Sequence, residues 1–282
     1  MTVSSIKAVV VLKLTCLEKT TLKEFTDNNY AQGSFCWSYL LKNKEIKVNG
    51  KKVSGNVELN VGDEIAYFLT KKQEEKTAFQ IVYQDENVLL ADKESGVNSE
   101  AVFAQLQRER ECYFIHRLDR NTQGLIVFAL NETAEKELLF AFKERLAEKI
   151  YIALCFGFFS KPKETLTAYL KKDTEKSLVK IFSEPKAGAD KIVTEYEVLE
   201  NKGETTKVKV RLHTGKTHQI RAHLAFIGNP IVGDMKYGFQ EKNKAVSVSR
   251  QQLLSYSLTL NGLDKLAYLN GREFRSGFEL NI

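Results

Sequence analysis

Apolar and polar positions alternate in short runs over the first eighty residues. The stretch MTVSSIKAVVVLKL carries an apolar run broken by Lys13 and reads as a strand, because it lacks the basic start and small-residue cleavage site of a signal peptide. TLKEFTDN and FCWSYLLKN predict two short helices. EIKVNGKKVSGNVELNVGDEIAYFL predicts strands divided by turns at Asn49-Gly50 and Gly62-Asp63, and the alternation around Asn-Gly is what a hairpin needs. The charged stretch TKKQEEKTAFQ, Thr70 to Gln80, has no apolar period. Residues 73–79 therefore read as a linker between a domain at 1–72 and another at 80–282.

The second domain opens with FQIVYQDENVLLADKESGV, two strands about a turn at Asp85-Glu86-Asn87. Gly124 to Leu130 is a further strand, after which Asn131 or Thr133 can cap a helix with Ala134, Leu138, Ala141 and Phe142 at helical spacing. Along Lys149 to Cys155, Ile150, Ile152 and Leu154 share one strand face and Tyr151 and Ala153 the other, which points Tyr151 away from the most apolar side. Strands continue through Asp190 to Leu199 and Lys207 to Leu212. Thr217 can then cap a helix striped by Ile220, Leu224 and Ile227 and ended by Gly228. Short strands with few helices predict an α+β fold built on mixed, largely antiparallel sheet, preceded by a small α/β domain.

Composition narrows the partners. The chain has 282 residues and a net charge of +6, and residues 1–80 hold 12 lysines, no arginine and 9 acidic groups, whereas all ten arginines lie beyond. That split suits diffuse phosphate contact in the first part and fixed, forked contacts in the second, although charge alone fits a solvated lysine face as well. The four cysteines are widely spaced without a C-x-x-C pair, so reduced core thiols are expected. No segment has the length of a membrane span, and cytoplasmic location is expected.

Phosphate-binding, dinucleotide-binding, serine-hydrolase and zinc-protease signatures are all missing, and the HRLD of residues 116–119 lacks the other elements of a kinase. His213, His218 and His223 recur at a spacing that fans them apart on a helix, so no metal site is expected. In HTGKTHQIRAHL, His218 and Arg221 lie three apart near a helix start. Arg221 can seek the carboxylate of Asp119 across a cleft.

Three ordered stretches, HRLDRNTQGL, EKIYIAL and LHTGKTHQIRAHLAFIGNPIVGDMKYG, resemble the signature motifs of RluA-type pseudouridine synthases. The resemblance implies an RNA isomerase with Asp119 as catalytic carboxylate, Tyr151 against the target base and removing a proton, and Arg221 paired with the aspartate. It also implies RNA contacts at Arg117, His116, Thr122, Lys216 and His218, with Arg117 helping to displace the target uridine. No cofactor is implied, because the reaction breaks N1–C1′, turns the uracil and joins C1′ to C5 without redox change. An arginine beside the aspartate favours its ionised form. The first domain is similar to the small RNA-binding domain first described in ribosomal protein S-four, which makes Lys42, Lys44, Lys47, Lys51 and Lys52 candidate RNA contacts. Ribosomal RNA of the large subunit is the expected partner, with transfer RNA as the alternative, and a monomer is expected. Gln123 and Glu94 depart from the family's usual serine and proline. The rival readings are a non-catalytic RNA-binding or assembly factor on the same fold, and an RNA glycosidase, for which these motifs offer no second carboxylate.

Overall fold

A computed structural model describes residues 9–173, 178–245, 248 and 250–280. Two compact units divide the chain, one comprising residues 1–80 with 97–110 and the other residues 81–96 with 111–282.

In the first unit the N-terminal strand is Val9–Thr15, with residues 1–8 of that stretch outside the described residues. It pairs antiparallel along its length with Glu64–Thr70, whose other edge takes the hairpin of Ile46–Val48 and Lys51–Lys52. The hairpin turns where expected: Asn49 and Gly50 have φ of 49° and 77°, and the Asn49 side chain accepts from the Glu64 N–H at 2.9 Å. Three helices, Leu22–Asn29, Ala31–Phe35 and Trp37–Lys42, pack over this sheet around Leu22, Leu40, Ile46, Ile65 and Tyr67. The expected linker is shorter than its polarity suggests. A helix at Lys71–Glu74, capped reciprocally by Thr70 and Gln73, extends into it, and the strand Phe79–Gln84 ends it. A helix at Ser99–Gln107 joins this unit from the far side of residue 80, tied by Asn98 to Asn28 at 2.8 Å and by Arg108 to the Asn29 carbonyl at 3.1 Å.

The second unit is built on one large sheet. Its main path runs through Leu178–Phe182, Lys163–Asp173, Asp190–Lys202, Thr205–Leu212, Glu148–Phe156, Leu253–Thr259, Gln123–Ala129, Val88–Lys93 and Phe79–Gln84. One neighbouring pair is parallel, Gln123–Ala129 beside Leu253–Thr259, so the sheet is mixed and largely antiparallel, as the sequence suggested. The parallel contact needs Gly124. Its φ is +106°, and a Cβ there would fall 2.3 Å from the Ser255 carbonyl oxygen. The helix Glu132–Lys143 begins at Asn131, whose side chain accepts from the Ala134 N–H at 2.9 Å, and buries Ala134, Leu138 and Ala141 against the core.

One local expectation fails. Thr217 does not cap the helix Gln219–Phe226: the cap position is His218, in left-handed conformation with φ of 56° and no side-chain capping bond. The strand Glu148–Phe156 is covered on both faces, and Tyr151, on the face opposite Ile150 and Ile152, is 7% exposed.

Candidate active site

The loop after Tyr113–Phe114 delivers Asp119, and its neighbours hold it still. The Asp119 carbonyl accepts from Thr122 N–H at 3.0 Å, the Arg120 carbonyl from Gly96 N–H at 2.8 Å, and the Asn121 carbonyl from the Ser95 hydroxyl at 3.0 Å. Thr122 is buried and accepts from Gln251 at 3.1 Å. It braces the loop from within. His116 is also turned inward. Its ring stacks on Phe142 at 4.5 Å, Nε2 accepts from Val127 N–H at 3.2 Å, and burial together with the charge of Lys149 pushes its pKa down to about 3. A neutral ring used as an internal acceptor offers no cation to RNA.

Arg221 reaches Asp119 from the helix Gln219–Phe226. The helix start is fixed by Gln219, whose side chain accepts from Lys216 N–H at 3.1 Å and donates to the Val193 carbonyl at 3.1 Å. Arg221 Nη1 then donates to Asp119 Oδ2 at 2.8 Å. The rest of the guanidinium belongs to Asp234: Nε donates to Oδ2 at 2.7 Å and Nη2 to Oδ1 at 2.9 Å. Asp234 Oδ1 also accepts from the N–H of Lys236 at 2.8 Å and of Tyr237 at 3.1 Å. Burial alone would raise the Asp234 carboxyl, but Arg221 and these N–H groups hold it below the ordinary carboxylate range. Burial likewise opposes the Arg221 charge, and Asp234 and Asp119 more than offset it, so its pKa rises further. Gly233 lets the chain enter this turn, with φ of +77° and no room for a Cβ against the Arg250 carbonyl oxygen, 2.0 Å away.

Tyr151 sits close enough for the Asp119 charge to act on its hydroxyl. Burial first, and then Asp119, push its pKa up to about 12 against a hydrogen bond with Ser255, so the hydroxyl is protonated at neutral pH. Ser255 is fixed in turn by donating to the Leu125 carbonyl at 3.1 Å. On the other side of Asp119, His218 Nε2 lies 3.8 Å from Oδ2 and Nδ1 lies 2.8 Å from the Tyr237 hydroxyl. That hydroxyl also accepts from Val179 N–H at 2.9 Å. Burial, aided by Arg221 and Lys236, lowers the His218 pKa.

The structure thus brings Asp119, Tyr151, Arg221 and His218 together. Arg117 is exposed on the loop, and Lys216 is exposed and paired with Asp190 at 2.9 Å. In the first unit Lys42, Lys44, Lys51 and Lys52 are exposed, while Lys47 is half-buried with its ammonium 5.0 Å from the Phe68 ring. His213, His218 and His223 bond to Glu195, Tyr237 and Thr194 in turn, and among the described residues no cluster of metal-ligating side chains occurs. Sequence reasoning missed Asp234 and Tyr237. The signal was available in GDMKYG, where an aspartate after glycine can accept from N–H groups two and three residues on.

A family profile described as RNA pseudouridylate synthase matches residues 42–226. An uncharacterized RNA pseudouridine synthase of Aquifex aeolicus is 30% identical over 256 residues, covering 80% of this chain and 79% of that protein. The dual-specificity RNA pseudouridine synthase RluA of Yersinia pestis is 33% identical over 192 residues, covering 64% of this chain and 91% of its own. Ribosomal large subunit pseudouridine synthase C of Vibrio cholerae is 29% identical, covering 71% of this chain and 70% of that one. Among solved structures, human RNA pseudouridylate synthase domain containing 1 superposes with a TM-score of 0.61 at 27% identity, covering 70% of this chain and 82% of that one. The chain belongs to the RNA pseudouridylate synthase family.

Proposed function

We propose that this isomerase converts uridines of large-subunit ribosomal RNA to pseudouridine, with Asp119 as its catalytic carboxylate. The observation that carries the assignment is the shared guanidinium of Arg221, which binds Asp234 with two N–H groups and Asp119 with one. Asp119 keeps Oδ1 for the sugar, either to attack C1′ or to take a sugar proton. The N1–C1′ bond breaks, the uracil turns in place, C5 joins C1′, and the C5 proton leaves. Tyr151 gives the extruded base a flat face and one hydrogen bond. Because its hydroxyl is neutral, taking the C5 proton through it requires a second acceptor, and Asp119, whose charge Tyr151 feels, fills that place. Extrusion costs roughly a few kcal/mol, and Arg117, exposed beside Asp119, is suited to fill the gap left in the stack.

The preference for ribosomal RNA rests on the names of relatives and on the lysines of the first unit, read as an S-four-like RNA-binding domain. Lys47 and Lys52 stand directly opposite each other across the hairpin, a like-charge pair that an anion would relieve. A single chain in the cytoplasm suffices for this chemistry. The test is carbodiimide-adduct primer extension on RNA from cells with the gene, without it, and with Asp119→Ala restored. Stops that disappear with the gene and return only with the native protein support the assignment. No gene-dependent stop in ribosomal or transfer RNA would refute it.

A further inference from the structure

Two residues before Tyr151, on the same face of the strand Glu148–Phe156, lies Lys149. Strand geometry spaces the two by about 6 to 7 Å. Lys149 is half-buried, and its ammonium stands 5.3 Å from the Phe142 ring that also carries His116. Nothing there neutralises it. Burial and the neighbouring Arg145 both lower its pKa, no carboxylate acts on it, and among the described residues it has no ion-pair or hydrogen-bond partner. A half-buried charge without a counter-ion costs free energy in the empty protein, which asks for an occupant. A Cβ on Gly215 would lie 3.5 Å from Nζ, in ordinary van der Waals contact, and would cover that side of the ammonium. Gly215 does not have positive φ, so its backbone does not call for glycine.

We propose that Lys149 binds one backbone phosphate of the RNA beside the target uridine, with Gly215 bare to admit it. This site rests on the RNA-isomerase reading. A single ammonium holds a free phosphate weakly in water, but a phosphate tethered to a nucleotide already in the cleft arrives at high effective concentration.

The test measures filter binding of an unmodified large-subunit ribosomal RNA transcript over a series of salt concentrations, for the native chain, Lys149→Met, Lys149→Arg and Gly215→Ala. Lys149→Met is expected to weaken binding by about tenfold or more and to make the slope of log affinity against log salt shallower by about 0.7 to 0.9. Lys149→Arg restores most of the slope, and Gly215→Ala weakens binding at unchanged Tm. Lys149→Met keeps or raises Tm, because an uncompensated charge has gone, whereas a purely structural lysine would lower it. An unchanged slope and affinity in Lys149→Met overturns the site. So does millimolar phosphate, at matched ionic strength, binding the native chain but not Lys149→Met while both hold RNA equally. Pseudouridine scored in the same samples separates the two readings. RNA held through Lys149 but never isomerised sinks the isomerase reading and leaves the site, whereas isomerised RNA with an unchanged slope sinks the site alone.

Discussion

Replacing Asp234 by asparagine tests how Arg221 is held. Asp234 is 1% exposed and its two oxygens accept from Arg221 Nε and Nη2 and from the N–H groups of Lys236 and Tyr237. Asparagine keeps the shape but has one acceptor oxygen, so its NH2 must face donors, and the buried guanidinium loses the counter-charge that fixes it. Removing one partner of a buried pair costs about 3 to 5 kcal/mol, and the bond asparagine retains favours about 3. In a unit of this size each kcal/mol lowers Tm by about 2 to 4 °C, so a fall of about 6 to 12 °C is expected. Activity should fall further than stability explains. A guanidinium drawn away from its place shifts Asp119, and a misplacement near 1 Å costs about a hundredfold in rate. Urea unfolding gives the first quantity, and single-turnover pseudouridine formation well below the transition gives the second. Stability within about 1 kcal/mol of native, together with an undiminished rate, would refute the positioning role of Asp234.

Three further outcomes are expected. Tyr151→Phe keeps the ring but loses the hydroxyl bonded to Ser255, so stability should fall by only about 1 kcal/mol while pseudouridine formation drops by about a hundredfold or more; a native rate would remove the hydroxyl from the chemistry. Burial holds His116 at about 3 and His223 at about 4, against about 6.5 when unfolded, so the folded chain binds fewer protons and their contribution is full above about pH 6.5 and lost as pH falls towards those values. Urea midpoints that stay flat from neutral to mildly acidic pH would contradict this. Changing Lys47 and Lys52 together to glutamine should flatten the salt dependence of RNA binding by about 1.4 to 1.8 and spare the rate at saturating RNA, and equal slopes would take the hairpin out of the interface.

Local pattern made much of this architecture legible. Asn49-Gly50, the cap at Asn131 and the alternation along Lys149 to Cys155 each fix geometry within a few residues, and all three stand where periodicity put them. Elements that depend on distant partners did not show. Leu253–Thr259 is a central strand whose place is set by Glu148–Phe156 on one side and Gln123–Ala129 on the other, and its apolar run alone could have suited a helix. The helix Ser99–Gln107 belongs with residues far earlier in the chain, which no local signal records. At the site, the meeting of Asp119 with Arg221 could be anticipated because opposite charges in a cleft seek each other. The inward turn of His116 could not, since it depends on Phe142 and the Val127 N–H lying where they do.

The sequence motifs suggest no second carboxylate, yet Asp234 stands in the third of them and Arg221 touches both aspartates. A glycosidase would use such a pair as nucleophile and acid, which requires one carboxyl to hold a proton near neutral pH. Asp234 cannot do so. It is held below the ordinary carboxylate range, and both its oxygens are engaged. Asp119 differs in its contacts, with 22% of its side chain exposed and a single guanidinium bond to Oδ2. One aspartate anchors the arginine and the other faces the cleft. With Asp119 as the proposed nucleophile, Asp234 is no carboxylic acid to protonate a departing base, so the pair does not supply the two roles that a glycosidase of this kind needs.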